Sequence, residues 1–211
     1  MLITNEIELH KRIDLGEFLK KAWLIFPIVY LSMSSIIYFL WQRNPSLSRE
    51  NSLMENMQVA FLLLALFFVL ARFLRERVWN LPFGFLLISF LTILLREVDL
   101  RPFFLPRFVI FLSTKGRDVA LALGWSLFVY SFIRNFRASL IEFIVLTRKA
   151  SGRYFILGCL FYGLAWPFDG GIFGLGKEAN QFIEELLDNM GTFSFALSGF
   201  FFYKEGDIPS K

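Results

Sequence analysis

The chain has 211 residues, 56% of them hydrophobic and 28 of them Phe, with mean hydropathy +0.56 and a formal net charge of +4 at pH 7. An ordinary soluble domain is about 45–50% apolar, so the composition favours a surface in contact with lipid. One cysteine, Cys159, and one histidine, His10, exclude an internal disulfide, a thiolate zinc site and histidine-based catalysis.

Residues 1–20 read as a polar, mildly amphipathic cytoplasmic segment in which Asp14 and Glu17 resemble a capping box. No cleavable signal pattern follows, so the first apolar stretch reads as a retained span. That stretch, Lys21 to Leu40, approaches the ~20 residues a bilayer needs and is bracketed by Trp23 and Trp41. Asn44-Pro45-Ser46 marks a turn. A second span is expected from Met54 to Leu74, stopping at Arg72, Arg75 and Arg77, and a third from Trp79 to Leu95.

Residues 96–117 differ in kind. Pro102 and Pro106 frame Phe103-Phe104, and the apolar run from Phe108 to Leu112 is too short to cross, which predicts an interfacial or re-entrant segment. A fourth span follows from Asp118 to Ile133. Residues 138–147, flanked by Arg134, Arg137, Arg148 and Lys149, read as a surface-lying piece. A fifth span runs from Tyr154 to Trp166. After a Gly-rich loop containing Asp169-Gly170-Gly171 and Gly174-Leu175-Gly176, a sixth runs from Gln181 to Tyr203, leaving a cytoplasmic tail at 204–211. The expected fold is therefore all-α: a polytopic membrane bundle of about six helices, with residues 21–203 as the transmembrane domain. No internal repeat supports an inverted-repeat transporter.

Basic residues orient this arrangement. The terminal side collects 14 Lys and Arg and the other side eight, among them Arg43, Arg49, Arg96, Arg101, Arg107, Lys115, Arg117 and Lys177. The positive-inside rule then places both termini in the cytoplasm. The lack of long polar loops favours a bacterial inner membrane. Because the basic residues flank apolar segments and form no separate soluble patch, a nucleic-acid partner is not expected.

On that topology the acidic residues gather at the outer ends. Glu55 and Gln58 share a helical face with Asn51, and Arg96 and Asp99 share one with Ser89 and Thr92. Gln181, Glu184, Glu185 and Asp188 form a stripe that Gly191, Thr192, Ser198 and Gly199 continue with small residues. Polar and small stripes in membrane helices turn toward the bundle interior. The expected outer vestibule comprises Glu55, Gln58, Arg96, Glu97, Asp99, Arg101, Arg117, Asp169, Gln181, Glu184, Glu185 and Asp188. If the site is catalytic, Glu184, Glu185, Asp188 and Asp99 are its candidate acid/base groups. If it holds a divalent cation as cofactor, the oxygen ligands would come from Glu55, Glu97, Asp99, Glu184 and Asp188. The competing reading pairs these acids with Arg96, Arg101, Arg107 and Arg117 and gives the cluster a structural role.

Motif resemblances stop short. Glu184-Glu185 resembles the glutamate pair of CAAX-type intramembrane proteases, which also need histidines on later helices, and none exists here. Ala196-Leu197-Ser198-Gly199 resembles the serine motif of rhomboid proteases, but Ser198 lacks a base and reads as a packing residue. Gly174-Leu175-Gly176-Lys177 lacks the spacing and the Ser/Thr of a phosphate loop. Trp125, inside the fourth span, reads as packing. The leading expectation is a small accessory membrane protein that binds lipid or a partner subunit, or a second copy of itself. The alternatives are a metal-dependent enzyme acting on a lipid-linked substrate at the outer face and a small cation- or proton-coupled transporter.

Overall fold

The computed structural model describes residues 27–48, 53–77, 80–98, 115–172 and 174–205, and among them every regular element is helical. Residues 1–47 form one compact unit and residues 48–211 another. In the first, helix α1 covers residues 27–43, three residues past the expected end at Leu40. The Asn44 side chain then accepts hydrogen bonds from Ser46 N (3.2 Å) and Ser46 Oγ (2.6 Å) and opens a short 3-10 turn, Pro45–Ser48. This is the turn the Asn-Pro-Ser sequence predicts. The expected N-terminal segment and Trp23 lie outside the described residues.

The second unit contains α2 (Leu53–Glu76), α3 (Leu81–Glu97), α4 (Arg117–Arg134), α5 (Phe136–Arg148), α6 (Ala150–Asp169) and α7 (Lys177–Lys204). Helix α7 packs between α6 and α2, α3 packs on α2, and α4 and α5 build outward on α3 and α6. Asn80 starts α3 by accepting the Phe83 N–H at 2.9 Å, with Pro82 in the first turn, so the preferred N-cap chemistry sets this boundary. The core joins Leu62, Ala65, Leu66 and Val69 of α2 to Phe83, Leu86, Phe90 and Leu94 of α3, and to Phe195 and Phe202 of α7.

Small residues let α7 approach its neighbours. A Cβ on Gly199 would stand 2.6 Å from the Ala65 carbonyl oxygen, and one on Gly191 would stand 2.5 Å from the Tyr162 ring. Ser198, wholly buried, donates its hydroxyl to the Ser151 carbonyl of α6 at 2.8 Å. The small-residue stripe is thus turned inward as expected, and Ser198 is a packing residue that also ties two helices. Trp125 is likewise a packing residue: its Nε1 donates to Thr92 Oγ1 at 3.0 Å and its ring meets Phe85 and Phe128 edge-on.

Helix α2 is long and apolar enough to cross a membrane, with mean hydropathy 2.3 over its most apolar window and only 33% of that window buried. Its exposed face carries Leu63, Leu64, Phe67, Leu70 and Leu74. Helices α4 and α5 pass the same test only together, and they meet at a 108° bend across Asn135. The remaining stretches read as crossings do form helices in the described residues, but they do not meet the criterion singly. Helix α3 has 17 residues, and the polar first turns of α7 dilute its apolar half. One or two candidate spans is a weaker pattern than the expected six. Helices α6 and α7 both begin about a turn earlier than expected, and the stretch expected to be interfacial lies outside the described residues from 99 to 114.

Candidate functional site

Two concavities flank α3. The first is a small polar cavity of ≈ 30 Å³ where the C-terminal end of α3 meets α6 and α7. Arg96 of α3, Tyr162, Trp166 and Asp169 of α6, and Glu184 and Asp188 of α7 supply its walls. Helical spacing explains the convergence: 162, 166 and 169 share one face of α6, and 184 and 188 share one face of α7. The turn between the two helices keeps Asp169 beside the start of α7. Its glycines at 171, 174 and 176 all adopt positive φ (64°, 62° and 86°), a conformation that side chains with a Cβ rarely take.

Carboxyl groups outnumber cations here. Asp188 interacts electrostatically with Glu97, Arg96, Glu184 and Asp169, and Glu185 with Asp188, Glu184, Glu55 and Glu97. The Arg96 side chain is 64% exposed and its Nε lies 3.7 Å from Glu97 Oε1, beyond hydrogen-bond length. Its guanidinium sits 5.9 Å from the Tyr162 ring centre. One acid is well satisfied: Glu185 Oε2 accepts the Gln58 Nε2 hydrogen bond at 2.6 Å, across α2 and α7. Others are not. Asp188 is 6% exposed, yet its Oδ1 accepts no hydrogen bond among the described residues, and the same holds for Asn180 Oδ1 and Asn189 Oδ1. Buried polar atoms of native proteins are paired in the great majority, so the Asp188 and Asn189 oxygens are exceptions, as are Asn180 Oδ1 and Glu142 Oε2.

The sequence-derived vestibule is only partly assembled. Arg96, Asp169, Glu184 and Asp188 meet at the cavity, with Glu55, Gln58, Glu97 and Glu185 beside it. Gln181 lies one turn further toward the start of α7, half-buried. Arg117 is not among the cavity walls: its Nη1 donates to the Leu95 carbonyl at 2.6 Å and its Nε pairs with Asp118 at 3.1 Å. Asp99 and Arg101 lie outside the described residues. No three His, Cys, Asp or Glu side chains among the described residues stand close enough to share a metal ion, so the oxygen ligands proposed for a divalent cation are not gathered as a set there.

Sequence reasoning missed Tyr162, Trp166 and Asn189. The first two could have been found by counting back seven and three residues from Asp169 on the same helical face. Asn189 was hidden because a single amide carries no charge pattern. Its Nδ2 donates to the Met54 and Glu185 carbonyls at 3.1 and 2.8 Å, linking α2 to α7.

The second concavity is an apolar groove of ≈ 370 Å³ between α3 and α4. Gly84, Leu87, Leu91 and Leu95 form one wall, and Ala120, Gly124 and Leu127 the other. None of the residues of α4 is buried, and Val119, Leu123, Leu127 and Tyr130 are exposed. The groove therefore opens onto a surface that is itself apolar.

Comparison with protein-family profiles, with curated proteins and with solved structures finds no match for this chain.

Proposed function

We propose that this protein is an integral membrane protein that binds lipid as an accessory component, with one acyl chain seated in the groove between α3 and α4. The groove carries the reading. Its ≈ 370 Å³ falls within the range of ligand pockets, about 300–1,000 Å³, and its walls are almost wholly apolar. Contiguous exposed apolar surface marks membrane or partner contact, and Val119, Leu123, Leu127 and Tyr130 of α4 are all exposed. Arg117, which donates to the Leu95 carbonyl at the end of the groove and pairs with Asp118, puts a polar pair where a headgroup would lie. The six-crossing topology, with both termini on the cytoplasmic face of a bacterial inner membrane, belongs to the same proposal. It rests on the distribution of Lys and Arg and on the apolar exposed face of α2.

The reading is tested by purifying the full chain from membranes and weighing the lipid that stays with it. Wild-type protein is expected to retain about one lipid per chain after extended washing, and Ala120→Phe, which fills the groove, to lose it. Equal lipid retention by both proteins, or release of the protein from membranes by alkaline carbonate, would defeat the proposal. The metal-dependent enzyme is the less supported alternative, because no three candidate ligands converge among the described residues.

A further inference from the structure

The geometry points to a binding site for a compact primary ammonium group in the cavity between α3, α6 and α7, with Asp188 as its anchoring carboxylate. The acidic cluster alone would not require this. The independent observation is Asp188 itself: a carboxylate 6% exposed, lining the cavity, whose Oδ1 accepts no hydrogen bond among the described residues. A buried acceptor left without a donor is destabilising, more so when charged, and a ligand carrying donors relieves that.

Four properties select the ligand class. The walls supply acceptors in excess, and an ammonium group has three donors and no acceptor. Three wall carboxyl groups, on Asp169, Glu184 and Asp188, face a single wall guanidinium, that of Arg96, which leans toward Glu97 and away from full pairing. The volume, ≈ 30 Å³, admits one or two heavy atoms and excludes a guanidinium or a quaternary ammonium. Tyr162 and Trp166 complete the lining, and aromatic faces favour an organic cation through their quadrupoles. A divalent ion, by contrast, needs several carboxylates on one centre, and these are not grouped that way. Trp166, 73% exposed, stands at the edge of the site, so the ammonium can arrive on a soluble amine or on a lipid headgroup.

The test uses the full chain in detergent, titrated with methylammonium chloride and, at matched ionic strength, with sodium chloride and tetramethylammonium chloride, while thermal stability and heat of binding are followed. Saturable binding of methylammonium, about tenfold tighter than either comparison salt, is expected. Asp188→Asn is expected to weaken it about tenfold, and Ser126→Ala on α4 to leave it unchanged. Glu184→Gln, at a half-buried position, carries the same test if Asp188→Asn does not fold. Equal responses to all three salts, or unchanged binding in both acid variants, would overturn the site. In nanodiscs, competition by phosphatidylethanolamine but not by phosphatidylcholine assigns the ammonium to a lipid, and undiminished methylammonium binding in both assigns it to a soluble amine. The detergent arm does not involve the α3–α4 groove, so failure there leaves the lipid reading standing, and failure of the lipid reading leaves this site standing.

Discussion

The two ends of the α2–α7 pair contain similar residues in opposite states. At the end that holds the C-termini of both helices, charges are matched. Arg72, 3% exposed, donates Nε to Glu76 at 2.8 Å and Nη1 to the Phe202 carbonyl at 2.7 Å, and its guanidinium lies 4.1 Å from the Phe202 ring centre. Arg75 reaches the Tyr203 carbonyl at 3.0 Å. Carbonyls at a helix C-terminus lack intrahelical donors, and two arginines from the neighbouring helix supply them. Glu205 does the converse for α6, accepting from Ser151 N at 3.0 Å and Ser151 Oγ at 2.5 Å, which places a carboxylate on the positive end of that helix. At the opposite end, acids exceed cations, and Oδ1 of Asn180, Asp188 and Asn189 is buried without a hydrogen bond among the described residues. A polar cluster that only holds helices together is expected to look like the first end. The second spends stability on something other than packing, and that is the physical case for binding there.

Mutations should therefore have unequal effects, and even opposite signs, at the two ends. The largest effect is expected from Arg72→Ala, which leaves the Phe202 carbonyl without its donor and Glu76 with Arg75 alone. Losing a buried guanidinium with its ion pair and its bond to a helix-end carbonyl is expected to cost about 3 kcal/mol, to be read from denaturant unfolding in detergent. A loss no larger than that of a surface change would mean that the matched end is not structural. Next comes Glu205→Ala, which removes two charge-assisted hydrogen bonds and is expected to cost about 1.5–3 kcal/mol by the same measurement, with Glu205→Gln recovering part. Gly199→Val forces a side chain against the Ala65 backbone, and overpacking of this kind costs about 1–3 kcal/mol. Thermal unfolding checks it, and a neutral result would show that α2 and α7 can separate without penalty. Asp188→Asn is expected to go the other way, leaving stability unchanged or raising it by up to about 1 kcal/mol, because it replaces a buried carboxyl whose Oδ1 accepts no hydrogen bond among the described residues. A marked loss of stability in Asp188→Asn would erase the contrast between the ends. Ser126→Ala, exposed on α4, should stay within about 0.5 kcal/mol of the parent.

Much of the helical plan was legible because it depends on local chemistry. The apolar stretch at α2 differs from the expected span by one residue at its start and two at its end, and α4 by one residue at each end. Gly171, Gly174 and Gly176 mark the turn before α7 through a backbone conformation they alone adopt readily. Less legible were the starts of α6 and α7. There the first turns are polar, and hydropathy therefore places the helix late. The polar stripe of α7 was visible in its spacing, but its partners were not. Gln58 meets Glu185 across 127 residues of chain, and Tyr162 reaches the cavity from a helix with no polar periodicity of its own.

Composition and periodicity alone were enough to establish that the chain is helical and that α2 presents a continuous apolar face. These follow from composition and from the 3.6-residue period, which each segment carries within itself. Which acids are matched and which are not emerges only when the helices are packed together. Arg72 reads in sequence as one of three stop-signal arginines and proves to be the buried cap of a helix 130 residues away, whereas Arg117 reads as a vestibule cation and is turned to the Leu95 carbonyl. Charge pairing depends on distances of a few ångströms between helices remote in sequence, and no local pattern encodes those distances.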